Sequence, residues 1–221
     1  LIESKHSNYA SANVAASEAV LNAAKANSVK HFVFISVVGA AKDSSNAYFR
    51  SKGTAEQLVI DSGIPSSILR TPILLGIGSA GAFTLKSAIA KGQTKVLGGG
   101  NYTMRPLDVD DLNNALINLS QKSVSGATVY ELVGPQAIAY KDLIKLAGKI
   151  KNVDINVGTA PIWLAKIART ITSVIKGGGI SPTVIDVITM NEVIEKNSDS
   201  ELGITLTPLN DTLNKILAEN S

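Results

Sequence analysis

The sequence predicts an α/β chain in which parallel strands lie buried between helices. Three observations carry that reading. Apolar residues make up 45% of the 221 residues and aromatics only 5%. The interior must therefore be built from Val, Ile, Leu and Ala, as in sheets covered on both faces. Two aliphatic runs, 31–38 (HFVFISVV) and 66–75 (SSILRTPILL), have the length and β-branched content of buried strands. A stretch with helical character separates them, and strand, helix, strand with short joints is the rhythm of a βαβ unit.

Taken in order, Leu1-Ile2 reads as the tail of a strand. Residues 11–27 carry Val14, Leu21 and Ala24 among alanines and read as a helix closed by Asn27-Ser28. The run 31–38 has the profile of a central parallel strand, and 39–46 is a small, polar loop. Residues 48–62 form a second helix, stopped by Gly63 and Pro65. Within 66–75, Pro72 lacks an N–H, so the ladder should end near it. Beyond Gly76 a helix is expected at 82–91, a short strand at 95–97 and a turn at 98–101 (GGGN). The stretch 108–119 opens with acidic residues and continues with Leu112, Leu116 and Leu119, the pattern of a capped helix. Asp111 reads there as a cap. A strand at 128–133 ends at Gly134-Pro135, followed by a helix at 140–150 and a strand at 154–157. Residues 161–176 read as an amphipathic helix with Pro in its first turn. Its apolar stripe is Trp163, Ile167, Ile171 and Val174, and Gly177-Gly178-Gly179 breaks it. Short helices are expected at 183–190 and 209–219. The chain should divide near 135, with the sheet in 1–135 and a small, mainly helical part in 136–221.

Composition excludes several functions. The formal charge is +3 from 21 basic and 18 acidic residues, with no Lys/Arg cluster interleaved with aromatics, so no nucleic-acid footprint exists. Cysteine is absent, which rules out disulfides, thiolate zinc sites and a thiol nucleophile and fits a cytoplasmic setting. His6 and His31 have no second metal ligand at useful spacing, so no metal site is expected. No apolar run approaches the length of a bilayer span.

The pattern Tyr48-Phe49-Arg50-Ser51-Lys52 places a phenol and an ammonium four residues apart at a helix start, on one face. A neighbouring ammonium lowers a phenol pKa and can hold a ribose hydroxyl, which suits proton transfer coupled to hydride transfer. The residues alone also fit an exposed helix end with a solvated lysine.

From Asn13 to Pro72 the order of elements resembles the extended and atypical short-chain dehydrogenase/reductase families. Asn13-Val14, Val20 to Lys25 and Val29 to Ser36 match their fourth helix and fifth strand. Tyr48 to Lys52 with Gly53-Thr54-Ala55-Glu56 matches their active-site helix, and Ile68 to Pro72 the strand whose end touches the nicotinamide. Arg105-Pro106-Leu107-Asp108-Val109-Asp110-Asp111-Leu112 and Tyr130 to Gly134 resemble later elements beside the substrate. The closest likeness is to the nucleoside-diphosphate-sugar epimerase-like group, which includes the dehydrogenase-like accessory subunit of respiratory complex I.

The resemblance implies a partial Rossmann-type, doubly wound parallel sheet with a small α-rich C-terminal part. It implies NADP or NAD as cofactor and a carbonyl or alcohol as the small-molecule substrate. Tyr48 would be the acid/base, Lys52 would tune it and hold the ribose, and Ser36 would assist. Thr71, Pro72 and Ile73 would border the nicotinamide, and Arg105 would grip a substrate diphosphate. On the residues alone Arg105 equally fits a surface pair with Asp108 or Asp110, and Ser36 a hydroxyl satisfied by backbone. A homodimer across the helices at 11–27 and 48–62 is expected, and membrane or respiratory-complex association is a minor alternative.

Two departures stand out. The G-x-x-G-x-x-G turn that meets the pyrophosphate is missing, and the triple glycines do not replace it, since neither follows a buried strand and opens a helix. An N-terminal truncation is therefore expected, with the first strands absent and about 75 residues preceding Leu1. Val37 stands where several catalytic members carry a hydroxyl, and Ile73 replaces a substrate-binding asparagine. Val37 and the open role of Ser36 favour a rival reading, a non-catalytic NAD(P)-binding accessory protein or a regulatory sensor of the NmrA kind, while the Tyr48-Lys52 pair favours the enzyme.

Overall fold

The computed structural model describes residues 8–163, 182–194 and 196–218. Packing groups the chain into two units, each discontinuous in sequence. The first is Leu1–Thr71, Leu116–Glu131 and Lys166–Ile188; the second is Pro72–Ala115, Leu132–Ala165 and Thr189–Ser221. The sequence suggested instead one contiguous boundary near 135. The chain leaves the first unit after Thr71 and returns to it twice, and such re-entry leaves no local signal.

In the first unit, β1 (Phe32–Val37), α2 (Ala47–Asp61) and β2 (Ser66–Thr71) form the expected βαβ unit. The later strand β7 (Ala127–Glu131) pairs on the far side of β2, giving a parallel sheet of order β1-β2-β7. The fold class is α/β, as the aliphatic runs predict. β2 lies in the middle and is buried at five of six positions. Among the described residues β1 pairs with β2 alone, and Ile35 is 43% exposed. Phe32 N–H donates to Pro65 O and Val38 N–H to Thr71 O. Even-numbered residues of β1 therefore face β2, and the carbonyls of Val33, Ile35 and Val37 point the other way.

Helix α1 (Ala16–Ala26) packs Leu21 and Ala24 against Val59, Ile64 and Ile68. Each large aliphatic side chain so buried contributes about 1.5–3 kcal/mol. The single helix expected over 11–27 opens instead with a π-helical turn, Ala10–Ala15. Such a turn widens the helix by one residue and re-aims its side chains. Asn13 lies in it and donates from Nδ2 to Ser51 Oγ on α2 at 2.8 Å. A short helix α6 (Pro182–Ile188) also belongs to this unit, and its Thr183 carbonyl accepts from Asn46 Nδ2 at 3.1 Å.

In the second unit, three two-stranded ladders surround an apolar core. β3 (Leu74–Leu75) pairs in parallel with β6 (Leu107–Asp108), and β4 (Gln93–Leu97) with β9 (Asn156–Ala160). β5 (Thr103–Met104) pairs antiparallel with β8 (Ile138–Ala139). Pro72 separates β2 from β3, where the missing N–H was expected to end the ladder. Helices α3 (Ala80–Lys91), α5 (Tyr140–Ile150) and α8 (Leu209–Ala218) close the core, through Leu85, Ile144, Leu213 and Ile216 among others. Helix α4 (Val109–Gln121), the four-residue α7 (Asp199–Leu202) and a 3-10 turn at Gly98–Gly100 are also formed.

Two carboxylates at the start of α4 tie down the C-terminal stretch. Asp108 accepts the N–H of Asp110 at 2.9 Å and is therefore the capping residue. It also takes Thr212 Oγ1 at 2.7 Å and Lys215 Nζ at 2.7 Å. Asp111, expected to cap, instead accepts Thr207 N at 2.8 Å and Thr207 Oγ1 at 2.7 Å. The acidic pair signalled a helix start, but its long-range partners lie about a hundred residues away. The stripe residues Ile167, Ile171 and Val174, the triple glycine at 177–179, His6 and the strand tail Leu1-Ile2 lie outside the described residues.

Candidate functional site

Helix α2 starts where it does because Asn46 caps it. The extended backbone of Asn46 lets its Oδ1 accept the N–H groups of Tyr48 at 3.0 Å and Phe49 at 3.3 Å. Tyr48 is thereby held in the first turn, with Lys52 and Glu56 following at four-residue steps on the same face. Gly53 is required by close approach. A Cβ there would overlap the carbonyl carbon of Ala41 and the backbone nitrogen of Lys42. The loop after β1 thus lies directly on α2, beside Lys52.

Lys52 reaches the end of β1. Its Nζ donates to Ile35 O at 2.9 Å, one of the carbonyls facing away from β2, and lies 4.5 Å from the centre of the Phe34 ring. Burial pushes the ammonium below its ordinary pKa, and the Glu56 carboxylate works against that shift. The Tyr48 ring meets Tyr9 edge-on at 5.7 Å and packs beside Phe49. Burial first, then Tyr9, raise the phenol pKa above its ordinary value. That direction is opposite to the one expected for a phenol beside an ammonium, because Lys52 is engaged by Ile35 and Phe34 while desolvation governs Tyr48.

Ser36 is 1% exposed, and its Oγ has no hydrogen-bond partner among the described residues. The backbone does not satisfy it. Such a hydroxyl costs about 1–3 kcal/mol. Its carbonyl accepts from Thr71 Oγ1 at 3.3 Å, so the ends of β1 and β2 are joined at these two residues. Ser36, Tyr48, Lys52 and Thr71 all belong to the first unit. His31 Nε2 lies 3.0 Å from Ser67 Oγ and has a structural role in the sheet.

Pro72, Ile73 and Arg105 belong to the second unit. Ile73 accepts Leu107 N–H at its carbonyl, and its own N–H donates to the Glu192 carboxylate. Arg105 pairs with neither Asp108 nor Asp110, which hold Lys215 instead. Its Nε donates to Gly134 O and its Nη2 to Pro135 O, each at 3.0 Å, and its backbone N–H to Glu192 Oε2 at 2.7 Å. Gly134 is fixed by the same contact: a Cβ there would overlap the Pro106 carbonyl. Burial raises the Glu192 pKa, opposed by the N–H groups of Arg105 and Ile73 and by the Arg105 charge. Among the described residues no group of three His, Asp or Glu is placed to hold a metal ion, and no helix is long and apolar enough to cross a membrane.

Sequence reasoning missed Asn46, Glu56, Arg70 and Glu192. Asn46 carried a findable signal, an Asn two residues before Tyr48 at a helix start. The others act through partners far along the chain and carried none.

Two curated proteins match the chain. It is 24% identical over 182 residues to the photosystem II assembly factor Ycf39 of Cyanophora paradoxa, covering 81% of this chain and 54% of that protein. It is 28% identical over 137 residues to the mitochondrial protein FMP52 of Candida albicans, covering 58% and 56%. The chain thus spans about half the length of the curated relatives it matches. No family model matches it. Among solved structures, MoeE5 in complex with UDP-glucose and NAD superimposes with a TM-score of 0.73 at 15% identity, covering 97% of this chain and 72% of that one. UDP-glucuronic acid 4-epimerase from Bacillus cereus, with UDP-glucuronic acid and NAD, gives 0.70 at 18% identity, covering 95% and 68%. The fold is that of these NAD-bound epimerase-like structures. That is the fold the resemblance of the sequence implies, a Rossmann-type α/β fold with a parallel sheet.

Proposed function

We propose that this chain is part of an NAD(P)-dependent oxidoreductase or epimerase-like protein acting on a carbonyl or alcohol. One observation carries the reading: Lys52, four residues after Tyr48 on the same helix, delivers its ammonium to the carbonyl of Ile35, the residue before Ser36, whose buried hydroxyl has no partner among the described residues. The side chains present fit a dinucleotide. An ammonium has three donors, and Ile35 O takes one, leaving two for ribose hydroxyls. The buried Ser36 hydroxyl has no partner among the described residues. The cofactor, when bound, supplies hydride exchange at its nicotinamide ring.

The chain's own residues would do the rest. Tyr48 exchanges a proton with the substrate oxygen, and Ser36 donates to that oxygen and orients it. Lys52 holds the ribose and keeps positive charge near the phenol. Thr71 supplies the border at the end of β2, and in the second unit Arg105 keeps one guanidinium nitrogen, Nη1, outside its two carbonyl contacts, available to an anion. A homodimer across α1 and α2 belongs to the same reading, supported by Val20 and Ile60, which stand 54% and 43% exposed.

The raised phenol and Val37 favour a second reading, an NAD(P)-binding accessory or sensor protein without turnover. One experiment separates the two. The full-length protein is titrated with NADH and NADPH, and hydride transfer to a panel of carbonyls is followed for wild type and Tyr48→Phe. The expected result is cofactor binding in both and a loss of turnover of about 10²–10⁴-fold in the variant. Tight binding with no turnover in either would establish the second reading.

A further inference from the structure

Beneath Lys52 lies a chain of charges that the proposed chemistry does not use. Glu56, 4% exposed, stands one helical turn beyond Lys52. Arg70 on β2 grips it with two bonds, Nε to Oε1 at 3.0 Å and Nη2 to Oε2 at 2.6 Å. Glu131 on β7 meets the same guanidinium at 3.6 Å. Three elements, α2, β2 and β7, thus contribute to one carboxylate–guanidinium–carboxylate line.

A line of this kind exceeds what packing needs. An aliphatic contact would fasten α2 to the sheet without the cost of desolvating charges. Lys52, in contrast, needs a neighbour of this sort. It packs half-buried against Phe34 within reach of a single carbonyl, and burial lowers its pKa while the Glu56 charge raises it. The other titratable groups on the elements around it are of little help. The Tyr48 pKa is raised by burial, and the phenol carries no charge near neutral pH; Arg50 and Asp61 on α2, Lys42 and Asp43 in the loop after β1, Glu18 and Lys25 on α1, and Asp186 on α6 are all exposed, and His31 before β1 meets Ser67. Arg50 is turned to the carbonyls of Ser44 and Ser45.

We propose that Glu56, held by Arg70 and Glu131, is a positioning residue that keeps the Lys52 ammonium charged and directed to the end of β1. The inference rests on the functional reading above for its purpose, since a charged Lys52 matters there for holding a ribose. Its physical content, the control of one lysine's charge by one buried carboxylate, is independent of any ligand.

The test is an NMR titration of lysine side chains in the full protein, with the Lys52 resonance assigned by its disappearance in Lys52→Arg. Glu56→Gln keeps the size and one acceptor for Arg70 but removes the charge, and Lys52 should lose its proton at lower pH than in wild type. Glu131→Gln, at a residue a quarter exposed, should shift Lys52 in the same direction by less. If the line served only to fasten α2, either variant would loosen the helix, admit water and leave the titration unmoved or shift it upward. That outcome overturns the proposal. Should Glu56→Gln fail to fold, Glu131→Gln decides alone, with a downward shift supporting the proposal and any other result overturning it. A second arm measures NADH affinity at pH 6 and pH 9. Glu56→Gln should match wild type at pH 6 and bind more weakly at pH 9. If NADH binds neither protein, the functional reading fails while the NMR titration still decides the role of Glu56.

Discussion

The unpartnered hydroxyl of Ser36 makes an unusual prediction: replacing a candidate catalytic residue should make the ligand-free protein more stable. Ser36→Ala removes a buried donor and acceptor that lost its water on folding and gained nothing in exchange. Relief of that penalty is worth about 1–3 kcal/mol. The void left by one oxygen costs on the order of 0.3 kcal/mol. The strand itself is unaffected, because the Thr71 Oγ1 contact goes to the Ser36 carbonyl and the β1–β2 ladder is backbone only. The net gain, roughly 0.7–2.7 kcal/mol, should raise Tm by about 1–11 °C for a chain of this size. Calorimetry on the ligand-free protein reads it directly. The same variant should turn over its substrate more slowly, since the freed energy is that which a bound oxygen would recover. A Tm below that of wild type would refute the reasoning, for it would mean that the hydroxyl is already satisfied in the folded protein.

Two pH effects of opposite sign should appear in the second unit. Burial works to raise the Asp108 pKa, but hydrogen bonds from Lys215, Asp110 N–H and Thr212, with the Lys215 charge, hold it below its ordinary value. Its contribution is therefore present above about pH 4, the ordinary aspartate range, and is lost as pH falls through the depressed value. Lys215→Met should cost about 2–4 kcal/mol at pH 7 and move the acid transition in thermal melts to higher pH; an unchanged transition would remove Lys215 as its cause. Glu192 behaves the other way, because burial outweighs its N–H partners and the folded state prefers the protonated acid. Stability should fall as pH rises from the ordinary glutamate range through the raised value, then level off. In denaturant unfolding Glu192→Gln should flatten that slope, and a slope equal to wild type would exclude Glu192 as its source.

The sheet was legible where burial on both faces leaves its mark on every residue. Residues 66–71 read as a buried strand and are one, and Pro72 interrupts the ladder for lack of a donor. The helix carrying Tyr48 and Lys52 was legible to within a residue, since Gly63 and Pro65 stop it. The π turn at Ala10–Ala15 was not, because its alanines suit any helical winding and the widening follows from packing on α2. Arg105 shows the same limit for side chains. Charge and spacing pointed to Asp108 or Asp110, while the guanidinium found two carbonyls near Gly134, a position defined only once the Pro106 carbonyl lies against it.

The protonation of Tyr48 bears on the direction of the proposed chemistry. A phenol raised by burial and by Tyr9 is fully protonated near neutral pH, so the ligand-free site is set to donate a proton rather than to accept one. Donation accompanies reduction of a carbonyl; oxidation of an alcohol needs the phenolate first. Lys52 is the one cation described on that helix face, but its ammonium is held at Ile35 O and Phe34. Any rise in positive charge beside Tyr48, from Lys52 turning or from an oxidised cofactor ring, would lower the phenol pKa and open the oxidative direction. The charge kept on Lys52 by Glu56 and the proton kept on Tyr48 by burial are then two settings of one site. The first governs whether a ribose is held, and the second which way a proton moves once it is.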